Sequence, residues 1–199
     1  MFDLDLINDQ FSKVIYQPEL LDIVECHSLY DYFLNNLDWR HDTARIYGKT
    51  ITTKRKIAWF ADQDLDYNYS GTNRVADGVW DQKVLEVKNK LEKLLGFTFN
   101  SCLLNLYHNG NEGMAWHSDD QNHLDPNETT VAIISLGAER FFKLRETKDK
   151  ICKHKILLQQ GSLLLMLNQT QQYWQHEIPK MAAIKEPRIS LTFRTMKRK

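Results

Sequence analysis

At Gly96 the hydrophobic pattern of this chain changes its period. Upstream, Trp80, Val84, Val87, Leu91 and Leu94 recur at helical spacing and predict a helix over residues 77–95, with Gly96 as its stop. Downstream, Phe97, Phe99, Ser101, Leu103, Asn105 and Tyr107 alternate along the chain and share one face of a strand. Further strands are predicted over residues 130–136, 141–145, 156–159, 162–167 and 188–196, parted by loops rich in Asn, Asp, Gly and Pro. One long helix followed by many short strands points to a two-sheet sandwich with helices packed outside it. Upstream of residue 77 the pattern is mixed. Residues 28–37 predict a short helix, with Ser28 as N-cap and Leu29, Phe33 and Leu37 on one face. The stretch KTITTKRKIAWF (49–60) has hairpin character.

The chain has 199 residues, 42% apolar and 26% charged, which suits one globular domain with a real core. No run approaches the 18 apolar residues of a membrane span. The acidic start, Met1-Phe2-Asp3-Leu4-Asp5, lacks the basic region of a signal or transit peptide. Cys26, Cys102 and Cys152 are odd in number and widely spaced. They imply a reduced, intracellular protein. The expected compartment is the cytoplasm or the nucleus, depending on the organism, and the expected state a monomer. Formal net charge is zero but unevenly spread. Basic residues gather at Lys49, Lys54, Arg55 and Lys56, again from Lys143 to Lys155, and at the end, Lys197-Arg198-Lys199. From charge alone a solvated surface is the simpler reading, with a polyanion site second.

The chemistry is carried by Trp116-His117-Ser118-Asp119-Asp120. On extended backbone His117 and Asp119 point to the same side. One imidazole and one carboxylate so placed can take two corners of a metal's coordination sphere. A third ligand from elsewhere would complete one face and leave the other open, as in the two-His, one-carboxylate site that favours non-haem iron(II). Taken alone, a His-x-Asp pair is an ordinary surface feature. Candidates for the third ligand are His108, His123, His154 and His176, the last just before Ile178-Pro179. The C-terminal strand adds independent weight. Ile189, Leu191 and Phe193 face one way, and Arg188, Ser190, Thr192 and Arg194 the other. Two arginines on an inner polar face are costly unless an anion answers them. A dicarboxylate suits the pair, since guanidinium groups bind carboxylates through paired hydrogen bonds. Six strand residues span about 20 Å, so inward-leaning arginines could hold both ends of a five-carbon diacid.

Six segments in matching order resemble the AlkB family of iron(II)- and 2-oxoglutarate-dependent nucleic-acid dealkylases, nearest its vertebrate-type DNA-repair members and their bacterial relatives. They are FNSCLLNLYHNG (99–110), WHSDD (116–120), ISLGAERFF (134–142), QQGSLLLM (159–166), WQHEIPK (174–180) and PRISLTFR (187–194). The resemblance runs from about residue 45 to 196 and carries little of residues 1–44. It implies an α+β fold with a double-stranded β-helix (jelly-roll) core, supporting helices and an N-terminal nucleotide-recognition lid. Residues 1–96 would hold the extension, lid and supporting helices, and residues 97–199 the catalytic core, in one compact domain.

The resemblance also implies roles. His117, Asp119 and His176 match the iron ligands. Arg188 matches the arginine on the distal carboxylate of 2-oxoglutarate, and Arg194 the one near its iron-chelating end. Asn105 and Tyr107 match an Asn-x-Tyr pair that hydrogen-bonds the cosubstrate. Tyr69 falls where the lid stacks an aromatic on an extruded base, and Asp120 near that base's edge. Gln121 departs from relatives that carry glutamate there. Tyr47 falls where some duplex-acting relatives insert a wedge. Lys49, Lys54, Arg55, Lys56 and Arg140 are candidates for phosphate contacts.

The activity implied is oxidative demethylation of N-alkylated bases such as 1-methyladenine and 3-methylcytosine in DNA, using Fe(II), 2-oxoglutarate and dioxygen. The N-alkyl group is hydroxylated and lost as formaldehyde while 2-oxoglutarate becomes succinate and carbon dioxide. The competing readings are the same chemistry on RNA or on a protein side chain, a catalytically silent nucleic-acid-binding jelly-roll, and a structural zinc site.

Overall fold

The computed structural model describes residues 4–46, 49–62, 65, 67–69, 72–74, 79–119, 124 and 129–197, with backbone alone for 44–46, 49–50, 67–69 and 72–74. The chain opens with β1 (Leu4–Asn8), β2 (Ser12–Gln17) and α1 (Ile23–Asn36). Then come β3 (Arg40–Ile46), β4 (Lys49–Ala61), β5 (Tyr67–Tyr69), β6 (Thr72–Arg74) and α2 (Gln82–Leu95). After Gly96 follow β7 (Ser101–Tyr107), β8 (Met114–His117), β9 (Val131–Gly137), β10 (Arg140–Glu146), β11 (Cys152–Leu158) and β12 (Leu163–Asn168). The last elements are α3 (Thr170–Tyr173), β13 (Trp174–Ile178) and β14 (Arg188–Arg194). Among the described residues no helix is long and apolar enough to cross a membrane.

Two antiparallel sheets face each other. The major sheet runs β1-β2-β12-β9-β14-β7-β4-β3 and the minor one β11-β10-β13-β8; β5 and β6 form a separate ribbon. The alternation read in the sequence explains the layering. Ile189, Leu191 and Phe193 of β14 and Cys102, Leu104 and Leu106 of β7 pack with Cys26, Leu29 and Phe33 of α1 and Val84, Val87 and Leu91 of α2. The alternate residues look into the space between the sheets, where Leu103, Ile133, Phe142, Leu144 and Leu158 pack. The centre of the major sheet is therefore buried on both faces, and every residue of β7 and β14 is buried. This is the jelly-roll arrangement with helices on one outer face. No break in pairing falls at residue 96: β2 pairs with β12 and β4 with β7, so the N-terminal strands extend the core sheet.

Both helices begin elsewhere than their apolar patterns suggest. α1 starts six residues before Ser28, at the N-cap Asp22, whose side chain accepts from Glu25 N. An acidic cap with Glu three residues on is the capping-box arrangement and outcompetes the serine. Leu29 and Phe33 are buried as expected, while Leu37 is the C-cap. α2 starts at the N-cap Asp81, which accepts from Lys83 N and Val84 N. Trp80 lies before that cap, and Leu94 is exposed. Gly96 ends α2 with φ of 73°, a left-handed conformation that glycine adopts without strain. The 49–60 stretch is not itself a hairpin. It is one long strand, β4, whose hairpin partner is β3.

The turn after β7 is clamped to the loop after β13. Gly110 N donates to Ile184 O (2.9 Å), and Met181 N donates to Gly110 O (2.7 Å). A Cβ at Gly110 would stand 1.7 Å from Met181 O. Gly110→Ala must part the two loops and costs about 1–3 kcal/mol, read as a lowered urea midpoint. An unchanged midpoint would show that the loops separate freely.

Candidate metal centre

β8 and β13 are neighbours in the minor sheet, and their register sets His176 directly opposite His117. The two rings lie 4.2 Å apart between centroids. Asp119 follows β8, and two contacts hold this stretch of chain. Asp119 N donates to Gln171 Oε1 (2.8 Å), and Ser118 Oγ donates to Trp174 O (2.8 Å). One ligand atom each from His117, Asp119 and His176 then lies within 4.8 Å of the others, the spacing a single metal ion needs. His176 is thus not a loop residue, as its flanking Ile178-Pro179 suggests, but the inward-facing centre of β13. Phe142 of β10 stacks on it at 5.2 Å.

The electrostatics favour the metal-binding protonation states. Burial pushes His176 down to about 3, with the neighbouring His117 adding to the shift. Burial also lowers His117, against the pull of Asp119. Both are neutral imidazoles near neutral pH. His117 Nδ1 sits 2.8 Å from the Ala115 carbonyl, which only accepts, so Nδ1 carries the proton and Nε2 the lone pair. Burial alone would raise the Asp119 carboxyl. The Arg194 guanidinium overrides it and holds the group at about 2, donating from Nε and Nη2 at 3.0 and 2.9 Å.

A pH dependence follows. Below the ordinary imidazole value of 6.5 the unfolded chain takes up a proton that folded His176 refuses until about 3. The unfolded state then binds more protons, so stability is full above 6.5 and falls as pH drops toward 3. Urea midpoints of the metal-free protein will decline through that window, and His176→Phe will flatten the decline. Equal slopes in both proteins would show that His176 titrates as a free imidazole.

The ligands open on a cleft with about 610 Å³ of empty space including its mouth. The inner face of β14 lines it with Arg188, Ser190, Thr192 and Arg194, and β7 adds Leu103, Asn105 and Tyr107. The expected alternation of both strands is therefore observed. The two arginines differ. Arg194 is committed to Asp119. Arg188 is 1% exposed, donates from Nη2 to Ser135 Oγ (2.9 Å), and leaves Nε and Nη1 without partners among the described residues. Burial brings it down to about 10. Asn105 also leaves its side-chain oxygen without a partner among the described residues.

The family described as the 2OG-Fe(II) oxygenase superfamily matches residues 13–194. The alpha-ketoglutarate-dependent dioxygenase alkB homolog 3 of Bos taurus is 32% identical over 204 residues, covering 98% of this chain and 70% of that protein. The human protein of that name gives the same figures. The chain belongs to this superfamily, and within it to the AlkB family. DNA oxidative demethylase ALKBH2 of Bos taurus is also 32% identical, over 158 residues, covering 75% of this chain and 56% of that protein. A solved structure of OsALKBH1 superposes with a TM-score of 0.64 over 96% of this chain and 100% of that one, at 12% identity. At that identity the likeness concerns the fold alone.

The cofactors of this AlkB-family chain are Fe(II), 2-oxoglutarate and dioxygen. The residues present fit both groups that the protein must hold. Two neutral imidazoles and a carboxylate are the donor set of a non-haem iron site. A buried guanidinium with two idle donors in the same cleft is what a carboxylate end of 2-oxoglutarate requires.

Two expected phosphate contacts are corrected. Arg55 is buried, paired with Asp42 at 2.5 Å, and sends Nη1 to Met114 Sδ. It lines the metal cleft. Arg140 is 1% exposed and bonded to backbone carbonyls. Neither guanidinium can meet a phosphate at the surface as placed. Tyr69 ends β5, in the ribbon with β6, and only its backbone is described. Tyr47, Asp120 and Gln121 lie outside the described residues. The sequence reading passed over Ser135, Gln171, Phe142 and Asp42. Ser135 was legible as a polar residue on the inner alternation of apolar β9. The other three carry no local signal.

Proposed function

We propose that this protein is an Fe(II)- and 2-oxoglutarate-dependent dioxygenase that demethylates N-alkylated bases in DNA, with 1-methyladenine and 3-methylcytosine as its lesions. The observation that carries the reading is one cleft holding both the His117, Asp119 and His176 cluster and the idle donors of Arg188. A nucleic-acid-binding jelly-roll without catalysis has no use for either. The substrate follows the relatives named DNA oxidative demethylase and alkB homolog 3.

His117, Asp119 and His176 hold the iron. Arg188 and Asn105 receive the cosubstrate, with Tyr107 beside them, and Leu103, Ile133, Phe142 and Leu158 exclude water from it. Arg194 keeps Asp119 ionised and oriented, so that no proton competes with the metal there. When bound, Fe(II) and dioxygen would supply the oxidation, one oxygen atom going to 2-oxoglutarate as it becomes succinate and carbon dioxide and the other to the N-alkyl carbon, which would leave as formaldehyde. Tyr69 stacks on the extruded base, Asp120 meets its edge and Tyr47 fills the gap in a duplex.

The test is succinate and formaldehyde release by the iron-loaded protein with one methylated lesion in single-stranded DNA, duplex DNA and RNA. Release with DNA is expected. No release from any strand, under conditions where an alkB homolog 3 protein turns over, would refute the assignment. Release from RNA alone would move the substrate and keep the chemistry.

A further inference from the structure

Arg140 opens β10, and its burial calls for compensation of its charge. Among the described residues its hydrogen bonds go to carbonyls rather than to a carboxylate: Asn109 at 3.4 Å, Glu112 at 2.7 Å and Pro179 at 2.8 Å. Those carbonyls belong to the two loops that Gly110 already clamps together. The Arg140 guanidinium carbon lies 5.8 Å from the centre of the Tyr107 ring, and that of Arg188 lies 5.5 Å from the same ring. One aromatic ring thus serves two buried cations, an arrangement stabilised by the ring's electron-rich face. Tyr107 and Arg188 line the cleft; Arg140 does not, and so touches nothing bound there.

We propose that Arg140 is a positioning residue for the dicarboxylate cosubstrate: it pins the two loops and Tyr107 at the Arg188 end of the cleft, and its charge adds to the attraction on the distal carboxylate. The proposal rests on the assignment of Arg188 to that carboxylate. Two buried cations against one ring, with the inner one short of partners among the described residues, favour the state in which a dianion is bound. The two loops and the ring then fix where Arg188 can present its idle Nε and Nη1.

The experiment uses the Mn(II)-loaded protein and N-oxalylglycine, the redox-inert isostere of 2-oxoglutarate, by calorimetry. Arg140→Met is expected to weaken N-oxalylglycine binding roughly 10- to 100-fold, the usual scale for a supporting residue, with Mn(II) affinity unchanged. Wild-type affinity for N-oxalylglycine overturns the proposal. So does an equal loss of Mn(II) and N-oxalylglycine affinity, the signature of a merely structural role. Should Arg140→Met not fold, Arg140→Lys carries the test. It keeps the charge but cannot bridge three carbonyls, so a several-fold loss is expected and wild-type affinity overturns the idea. If instead Arg188→Met binds N-oxalylglycine as tightly as wild type, the assignment of Arg188 fails and this proposal with it, a result seen without any Arg140 variant.

Discussion

Asp119→Ala will lose iron binding and will also weaken the fold. The carboxylate is one of the three groups proposed to hold the iron, and the remaining His117 and His176 leave no anionic donor among the described groups of the cluster. It is also the two-point partner of Arg194, which is buried. Removing one member of such a buried pair costs about 3–5 kcal/mol. Urea unfolding will read the loss of stability, and titration with Mn(II) the loss of the site. Asp119→Ala combined with Arg194→Met separates the two effects. Removing the cation as well should recover much of the stability and none of the metal affinity. A single variant as stable as wild type would show that Arg194 is answered by other groups.

Arg188→Met is expected to act in the opposite sense on the free protein. Arg188 already lacks partners for Nε and Nη1, and burial has lowered its affinity for its proton. Exchange of an unanswered buried cation for an apolar chain of similar length is neutral or stabilising. Loss of the guanidinium should instead remove about 2–5 kcal/mol of 2-oxoglutarate binding, roughly 30- to several-thousand-fold in Kd. The Michaelis constant for 2-oxoglutarate will rise while Mn(II) affinity holds. A variant that unfolds early, or binds the cosubstrate as well as wild type, would remove Arg188 from the site. The pair of variants thus distinguishes a cation that the fold has matched from one left for a ligand.

The residues that were legible share a cause. β7 and β14 lie where the major sheet is buried on both faces, so their alternation divides helix-facing from cleft-facing residues, and the polar ones on the inner side stood out. The His-x-Asp pair is local, and extended backbone places both side chains on one side whatever the fold does. The cap of α2 at Asp81 and of α1 at Asp22 shows the opposite case. Apolar spacing falls several residues short of the start of α1 and overruns the start of α2, because a cap is a hydrogen bond and leaves no mark on hydrophobic period. β1, β2 and β3 are short or mixed and take their strand form from β12 and β4, far from them in sequence or paired across a turn.

The period change at Gly96, the inner face of β14 and the kind of donors available to a metal are written in the local pattern of residues. The tertiary structure supplies the reason that His176, which the resemblance picked from four candidates, completes the set: the register of β13 against β8 is fixed by sheet packing and not by either strand. It also decided what each arginine does. Arg55, Arg140, Arg188 and Arg194 are alike in sequence, and all four are buried. Arg55 and Arg194 meet Asp42 and Asp119, Arg140 meets three carbonyls, and Arg188 keeps two donors idle. A charged side chain's role depends on what answers its charge, and here that answer comes from residues brought close only by the folded chain.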